Sequence, residues 1–298
     1  RGGKNTDVVG TFLKNIVGHE LSFTEQACVR NGLRSRQIYY SDTGVASHDA
    51  LRAQSAPGGR EAHGSIFRHR TECCVQIGGA LMGRNANPRV MVAMSGGVDS
   101  SVTAYALKQR GMELVGVTMC LGVAHTQGAR PTCCGAQAVN DARAVCDQLD
   151  IPHYVFDYAE PLRRHVVDRF IAAYARGETP NPCVLCNRHL KFSSLLQKAQ
   201  AMGYDYLATG HYARIEQRDD GFALLTPADT IKDQTYFLSG MPRESLARTL
   251  FPLGGMTKGA VRELAREAGL TVAGKRESQD ICFVPDGDYR TFVEQHVD

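Results

Sequence analysis

Along the second two-thirds of the chain, short apolar runs alternate with longer stretches whose apolar positions recur every three or four residues. Val90–Met94 (VMVAM) is a continuous apolar run and reads as a strand buried on both faces of a parallel sheet. From Ser100 onward Val102, Ala106 and Leu107 keep one helical face, and Gly111 stops it. Glu113–Cys120 (ELVGVTMC) predicts a second strand, and Ala136–Leu149 a helix with Val139, Ala142, Val145 and Cys146 on one side. His153–Tyr158 is the third strand, Leu162–Ala175 an amphipathic helix, Leu190–Met202 another, and Tyr206–Thr209 the fourth strand. Ala213–Leu225, turning at Arg218-Asp219-Asp220-Gly221, reads as a hairpin. Thr257–Gly269 is the last clear helix, with Thr257 as its N-cap and Gly269 closing it. Such alternation predicts an α/β fold, a doubly wound and mostly parallel sheet with helices on both faces. Ligands then belong at the carboxyl ends of the strands.

Upstream of Arg89 the pattern changes. Residues 1–88 show no sustained periodicity, are rich in Gly, Ser, Arg and His, and contain no methionine before Met82. They are expected to be a poorly structured extension, an organellar transit region, or sequence upstream of a start at Met82. We prefer the last, because MGRNANPRVMVAMSGG reads as an ordinary beginning for the first strand, and seven acids weaken the transit reading. Arg1 then marks a fragment or a misread start. The ordered domain is expected over 89–285.

At 298 residues, with 43% hydrophobic and 22% charged residues, the chain has room for a sizeable core. The net charge of +3 is uneven: eleven Lys/Arg against seven acids put about +4 on residues 1–88 and leave the remainder near −1. An RNA contact in the domain therefore needs a local basic patch rather than bulk charge. No apolar run reaches the ~18 residues of a membrane span, so no membrane partner is expected. Ten cysteines, several adjacent or in CxxC, suit metal, cluster or redox-active thiols better than structural disulfides. That usage points to a reducing compartment, the cytoplasm, or a mitochondrion or plastid if residues 1–88 are a transit region.

The loop between the first strand and first helix carries Ser95, Gly96 and Gly97. Two glycines let the backbone turn sharply and approach a ligand, and the amides opening the helix face an anion with the positive end of its dipole. It is not a Walker A loop, which needs a lysine after its last glycine; this chain has the acid Asp99 instead. SGGVDSS resembles the pyrophosphate-binding loop of the ATP-pyrophosphatase (PP-loop) superfamily. That resemblance implies cleavage of ATP between its α and β phosphates, with Asp99 as a Mg2+ ligand or orienting group.

TPNPCVLCN (179–187) is the second signal. Pro180 and Pro182 argue against helix or sheet, so Cys183 is expected on a stiff extended loop. Cys186 is expected just before the Leu190 helix, where the dipole would lower its thiol pKa and Asn187 would serve as cap. A zinc half-site is the plainer reading. It lacks a good second pair, since adjacent Cys133 and Cys134 rarely chelate one ion together. Cys282, in the apolar ICFV run, also reads as a buried structural cysteine.

Six stretches in order carry a specific resemblance: the SGGVDSS loop, TPNPCVLCNRHLKF (179–192), ATGHYAR (208–214), KDQTYFLS (232–239), FPLGGMTK (251–258) and ESQDICFVP (277–285). From about Val90 to Asp298 the chain is similar to the tRNA-specific 2-thiouridylases, a PP-loop family with an adenine nucleotide alpha hydrolase-like fold. The resemblance implies adenylation of the wobble-uridine C2 oxygen, then sulfur transfer to C2. Ala93, Met94, Ser95, Gly96, Gly97, Val98, Asp99 and Ser100 would touch ATP, with Met119 and Gly210 at the adenosine. Cys186 would be the nucleophile and Cys282 the persulfide carrier, while Asp99 serves adenylation. Asn181, Pro182 and Cys183 would lie at the target base, and Lys232, Asp233 and Gln234 would contact tRNA. Implied partners are wobble-uridine tRNAs of the Lys, Glu and Gln type and a sulfur donor such as a cysteine desulfurase or relay protein. The family continues into a central tRNA-binding domain, of which 286–298 would be the start, and a β-barrel.

Many family members carry Asp where this chain has Cys183. Three thiolates, Cys183, Cys186 and Cys282, would suit a [4Fe–4S] cluster with one open iron, so cluster and persulfide chemistry are rivals here, with the cluster slightly preferred. Two other classes compete. A PP-loop ligase or amidotransferase of the GMP- or NAD-synthetase kind would need no CxxC. A non-catalytic Fe–S or zinc RNA-binding adaptor would not need an intact loop.

Overall fold

The computed structural model describes residues 39–40, 87–122, 136–277, 281–284 and 288–296. The remainder of the 1–88 segment, Cys133-Cys134 and part of ESQDICFVP lie outside the described residues. Cys120 is disulfide-bonded, where the cysteine pattern favoured metal, cluster or redox-active thiols over structural disulfides.

Five strands form a parallel sheet: β2 (Arg89–Ala93), β3 (Glu113–Cys120), β4 (His153–Asp157), β5 (Tyr206–Ala208) and β8 (Thr249–Leu250). They lie in the order β4-β3-β2-β5-β8, and the two-residue β1 (Tyr39–Tyr40) pairs in parallel outside β4. The order reverses beside β2, the central strand, which pairs with β3 on one side and β5 on the other. This is the doubly wound α/β sheet that the periodicity predicts. The hairpin is also present, as β6 (Arg214–Arg218) against β7 (Gly221–Leu225), antiparallel and off the main sheet. The short β8 went unpredicted because two residues carry no period.

Alternate residues of β2 divide the core. Val90 and Val92 pack with α1 (Val98–Gln109), α2 (Ala136–Gln148) and α8 (Lys258–Glu267). Met91 faces the other cluster, built from Val115, Val117, Phe156, Phe170, Leu190 and Leu195. Gly116 of β3 faces Cys146 of α2, where a Cβ would collide with the sulfur, so the glycine sets how close that helix lies.

Two helices depart from expectation. The 162–175 helix starts earlier, as α3 (Ala159–Leu162), and runs through a π-helical turn (Arg163–Val167) into α4 (Asp168–Ala175). The 190–202 helix starts at Pro182, as α5 (Pro182–Cys186), and runs through a π-helical stretch (Asn187–Leu195) into α6 (Leu196–Ala201). The prolines do not prevent this. Pro182 takes the first helical position, where no amide partner is lost and its fixed φ suits the helix. Thr257 caps α8 as predicted, its Oγ1 accepting from the Ala260 amide at 3.2 Å, and Gly269 follows with φ +62°.

Candidate active site

The site is built on the carboxyl edge of β2, where the chain leaves the sheet at Met94. The Met94 amide donates to Val117 O at 2.7 Å, and the Thr118 hydroxyl donates to Met94 O at 2.9 Å. The loop is then tied by its own serines. Ser100 Oγ accepts from the Ser95 amide at 3.2 Å and donates to Gly97 O at 3.1 Å, and Ser101 Oγ donates to the same carbonyl at 2.8 Å. Gly96 has φ +70°, and a Cβ there would drive into the Ala138 carbonyl of α2. The amides opening α1, from Gly97 to Asp99, have no preceding carbonyl to bond within the helix and face out at the positive end of its dipole. Gly210, just past β5, lies against the start of α1, where a Cβ would sit 2.9 Å from Asp99 C and Ser100 N. Met119 lies two residues along β3 beyond the Ala93 pairing with Val117. The residues expected to hold ATP therefore come together at one edge.

The lysine missing from the loop arrives from elsewhere in the chain. Lys258, the first residue of α8, places Nζ 2.7 Å from both carboxylate oxygens of Asp99. Tyr212 OH donates to Asp99 Oδ1 at 2.9 Å. Burial, and then the Asp99 charge, push the Tyr212 hydroxyl pKa up, so it stays a donor. Lys258 Nζ also reaches Glu277 Oε1 at 2.6 Å; Lys232 Nζ takes Glu277 Oε2 at 2.7 Å, and Arg262 stands 3.6 Å off. These hydrogen bonds, with Lys232 first and Lys258 second, hold the Glu277 carboxyl at about 2. Lys275 closes the far side, donating to Gly96 O at 2.9 Å and to Asp141 at 2.6 Å. Lys258 and Lys275 thus reach the loop itself, with Lys232 and Arg262 behind them at Glu277, and these donors suit a polyphosphate. Sequence reasoning gave no role to Lys258, Glu277 and Tyr212, although each stands in a quoted motif. Nothing in the pattern pointed to Lys275 or Asp141.

The residues expected at tRNA are engaged within the protein. Lys232 binds Glu277, as above. Asp233 Oδ1 accepts from the Thr235 amide and hydroxyl at 2.9 and 2.7 Å, opening α7 (Thr235–Leu238). Gln234 clasps Tyr212, accepting its amide at 2.9 Å and donating its own amide to Tyr212 O at 3.1 Å.

Asn181, not Asn187, caps the cysteine helix: its Oδ1 accepts the Cys183 amide at 3.0 Å. Cys183 is exposed in the first turn of α5, and Cys186 is its last residue, half-buried within a continuous helix. Burial pushes the Cys186 thiol pKa up, with Lys191 opposing and Cys183 adding to the rise. The expected lowering by a helix start is thereby overturned, because the helix begins four residues before Cys186 and not after it. Asn187 is buried and donates Nδ2 to Phe237 O at 2.8 Å, fastening α7 to this helix. Cys282 is exposed, while its neighbours Phe283 and Val284 are buried in the same apolar cluster that Cys186 borders. Both cysteine segments therefore lie on one face of the sheet. Among the described residues no three His, Cys, Asp or Glu side chains are grouped to hold a metal ion.

Residues 88–286 match the tRNA methyl transferase HUP domain. A tRNA-specific 2-thiouridylase of Syntrophus aciditrophicus is 54% identical over 207 residues, 70% of this chain and 55% of that protein. One from Geobacter metallireducens is 52% identical over 219 residues, covering 72% and 60%. The chain thus spans a little over half the length of these curated relatives. Among solved structures, an NMN synthetase of Francisella tularensis aligns at 20% identity with a TM-score of 0.42, over 73% of this chain and 75% of that one.

Proposed function

We propose, for a chain that belongs to the tRNA methyl transferase HUP domain family, the ATP-dependent thiolation of a tRNA uridine. One observation supports the reading: Lys258 and Glu277 converge on Asp99 at the loop that leaves β2, and both cysteine segments lie against one apolar cluster of the same sheet. The loop and Lys258 hold the phosphates, where a bound Mg2+ would further neutralise their charge, and the uridine O2 attacks the α phosphorus as pyrophosphate leaves and the N3 proton passes to solvent. Asp99 keeps Lys258 aimed at the loop, which supports the orienting role, one of the two roles that the resemblance implies for it.

Sulfur then passes to C2 as AMP departs. Cys186 attacks the Cys282 sulfur of a Cys282 persulfide, so the outer sulfur leaves as a nucleophile with its electron pair. The two cysteines end as a disulfide, which a thiol reductant reopens. Cys186 and the residues flanking Cys282 share one cluster, so we set the relay ahead of the [4Fe–4S] alternative. The donor is a persulfide-bearing protein, the substrate a wobble-uridine tRNA, and the setting the cytoplasm.

The test combines the chain with ATP, tRNA and a persulfide donor, reading AMP release and 2-thiouridine by mass spectrometry. Asp99→Asn should abolish AMP formation while circular dichroism stays unchanged. Normal AMP release from that variant would sink the assignment of the loop.

A further inference from the structure

Lys191 takes no part in the phosphate site. It is half-buried in the π-helical stretch Asn187–Leu195, and among the described residues no carboxylate pairs with it. Cys186 caps the start of that stretch. In an α-helix two residues five apart point about 140° away from each other. The wider π-helical turn closes every five residues and stacks them instead. The stretch shows that spacing directly: the Leu196 amide donates to Lys191 O, and the Ser193 hydroxyl donates to Arg188 O at 2.6 Å. Lys191 therefore stands one turn above Cys186, on the same side of the helix.

Its charge is felt at two groups. Lys191 favours the thiolate of Cys186 against the cost of burial. After burial itself, it also lowers the His211 pKa, which lies well below the usual 6.5. The His211 ring is thus neutral, with Nδ1 2.7 Å from Thr209 Oγ1 and Phe192 and Phe251 packed against it. His211 follows Gly210 just past β5, so Lys191 is within reach of both the loop edge and the cysteine helix. Other titratable groups stand near that helix. Arg163, Arg164 and His165 lie on the π-helical turn packed against it, Tyr236 on α7, and Arg188 and His189 on its own continuation. The thiol responds to Lys191 and Cys183 and to none of these. With no acid beside it, the ammonium field is not cancelled before it reaches the thiol.

We propose that Lys191 is the charged partner of Cys186, stabilising the thiolate that opens the Cys282 persulfide, and that the π-helical turn is what places it there. The role rests on the thiolation reading. Cys186 gives its proton to water. Its sulfur then bonds to the Cys282 sulfur as the persulfide bond breaks, and the outer sulfur leaves with the electron pair. Lys191 stays protonated throughout and acts only through the thiolate.

The experiment is alkylation of the chain by iodoacetamide across a pH series, read at Cys186 by tandem mass spectrometry. An opposite charge beside a thiolate favours it about tenfold or more. The more basic thiolate left without that charge is roughly threefold more nucleophilic. In Lys191→Met the rate at neutral pH should therefore fall about 3-fold or more, with the profile displaced to higher pH. Lys191→Arg keeps the charge and should keep the rate near wild type. Loosened packing would expose the thiol and speed the reaction, so the sign separates a lost charge from a disturbed helix. ATP affinity by calorimetry should equal wild type in both variants. An unchanged or faster rate in Lys191→Met, or an equal loss in Lys191→Arg, would overturn the proposal. Weakened ATP binding would place Lys191 at the phosphates and overturn it too. The thiolation reading fails separately, if ATP titration of the wild type shows no binding.

Discussion

Glu277→Gln removes one charge and keeps the side-chain shape, which makes it the cleanest perturbation of the phosphate site. The native carboxylate accepts Lys258 at 2.6 Å and Lys232 at 2.7 Å, and these bonds hold its pKa at about 2 against an ordinary 4.5. That difference corresponds to roughly 3.4 kcal/mol at about 1.36 kcal/mol per unit. The side chain keeps 24% of its surface in water, so screening reduces the figure, and we take about 1–2 kcal/mol. The sign follows from the lowered folded-state value. The contribution is complete above 4.5 and is lost as pH falls from there toward 2. Urea unfolding of wild type and variant, stepped from neutral pH downward, isolates this carboxylate from the others in the chain. The wild type should be about 1–2 kcal/mol more stable near neutrality, and the gap should close at acid pH. A gap that is absent near neutrality, or flat across the acid range, would refute the reasoning.

Lys258→Ala removes the cation that stands in for the loop lysine. A charge-assisted bond of about 1.5–3 kcal/mol predicts ATP binding weakened roughly 10- to 150-fold by calorimetry, and unchanged affinity would place the triphosphate elsewhere. Burial raises the Cys186 thiol above its ordinary 9.0, so its alkylation rate should still be climbing past that pH; a midpoint near neutrality would restore the helix-start picture. For the two sulfur mechanisms, Cys183→Ala should retain much thiolation while Cys186→Ala and Cys282→Ala lose it. Loss of thiolation and bound iron together in Cys183→Ala, after anaerobic purification, would favour the cluster.

The sheet was legible because β2, β3 and β4 are continuous apolar runs separated by helices of clear period, and such segments bury themselves in few ways. The cysteine helix was misread for a local reason. Proline disfavours a helix everywhere except its first turn, and nothing in TPNPCVLCN alone says that Asn181 takes the cap. Placing the helix start at Leu190 also inverted the electrostatics of Cys186, since one error of register moved it from a helix N-terminus to an interior. The π-helical stretches carry no periodic mark, yet they bring together His165 and His189, which lie before and after the cysteine helix in the chain.

The acid in the phosphate loop has a physical explanation that only the fold supplies. A Walker loop carries its lysine locally, within reach of the phosphates by chain geometry. Here the lysine is 159 residues away on α8, so the loop needs a means of holding it, and Asp99 does so through both carboxylate oxygens. Glu277 holds the same lysine from the segment that leads to Cys282, and it also binds Lys232. Under the proposed reading a triphosphate at the loop would compete with both carboxylates for Lys258, and Glu277 stands five residues before Cys282 in the chain. Spacing in the sequence cannot show this, because the contacts join motifs from four different loops at the carboxyl edge of one sheet.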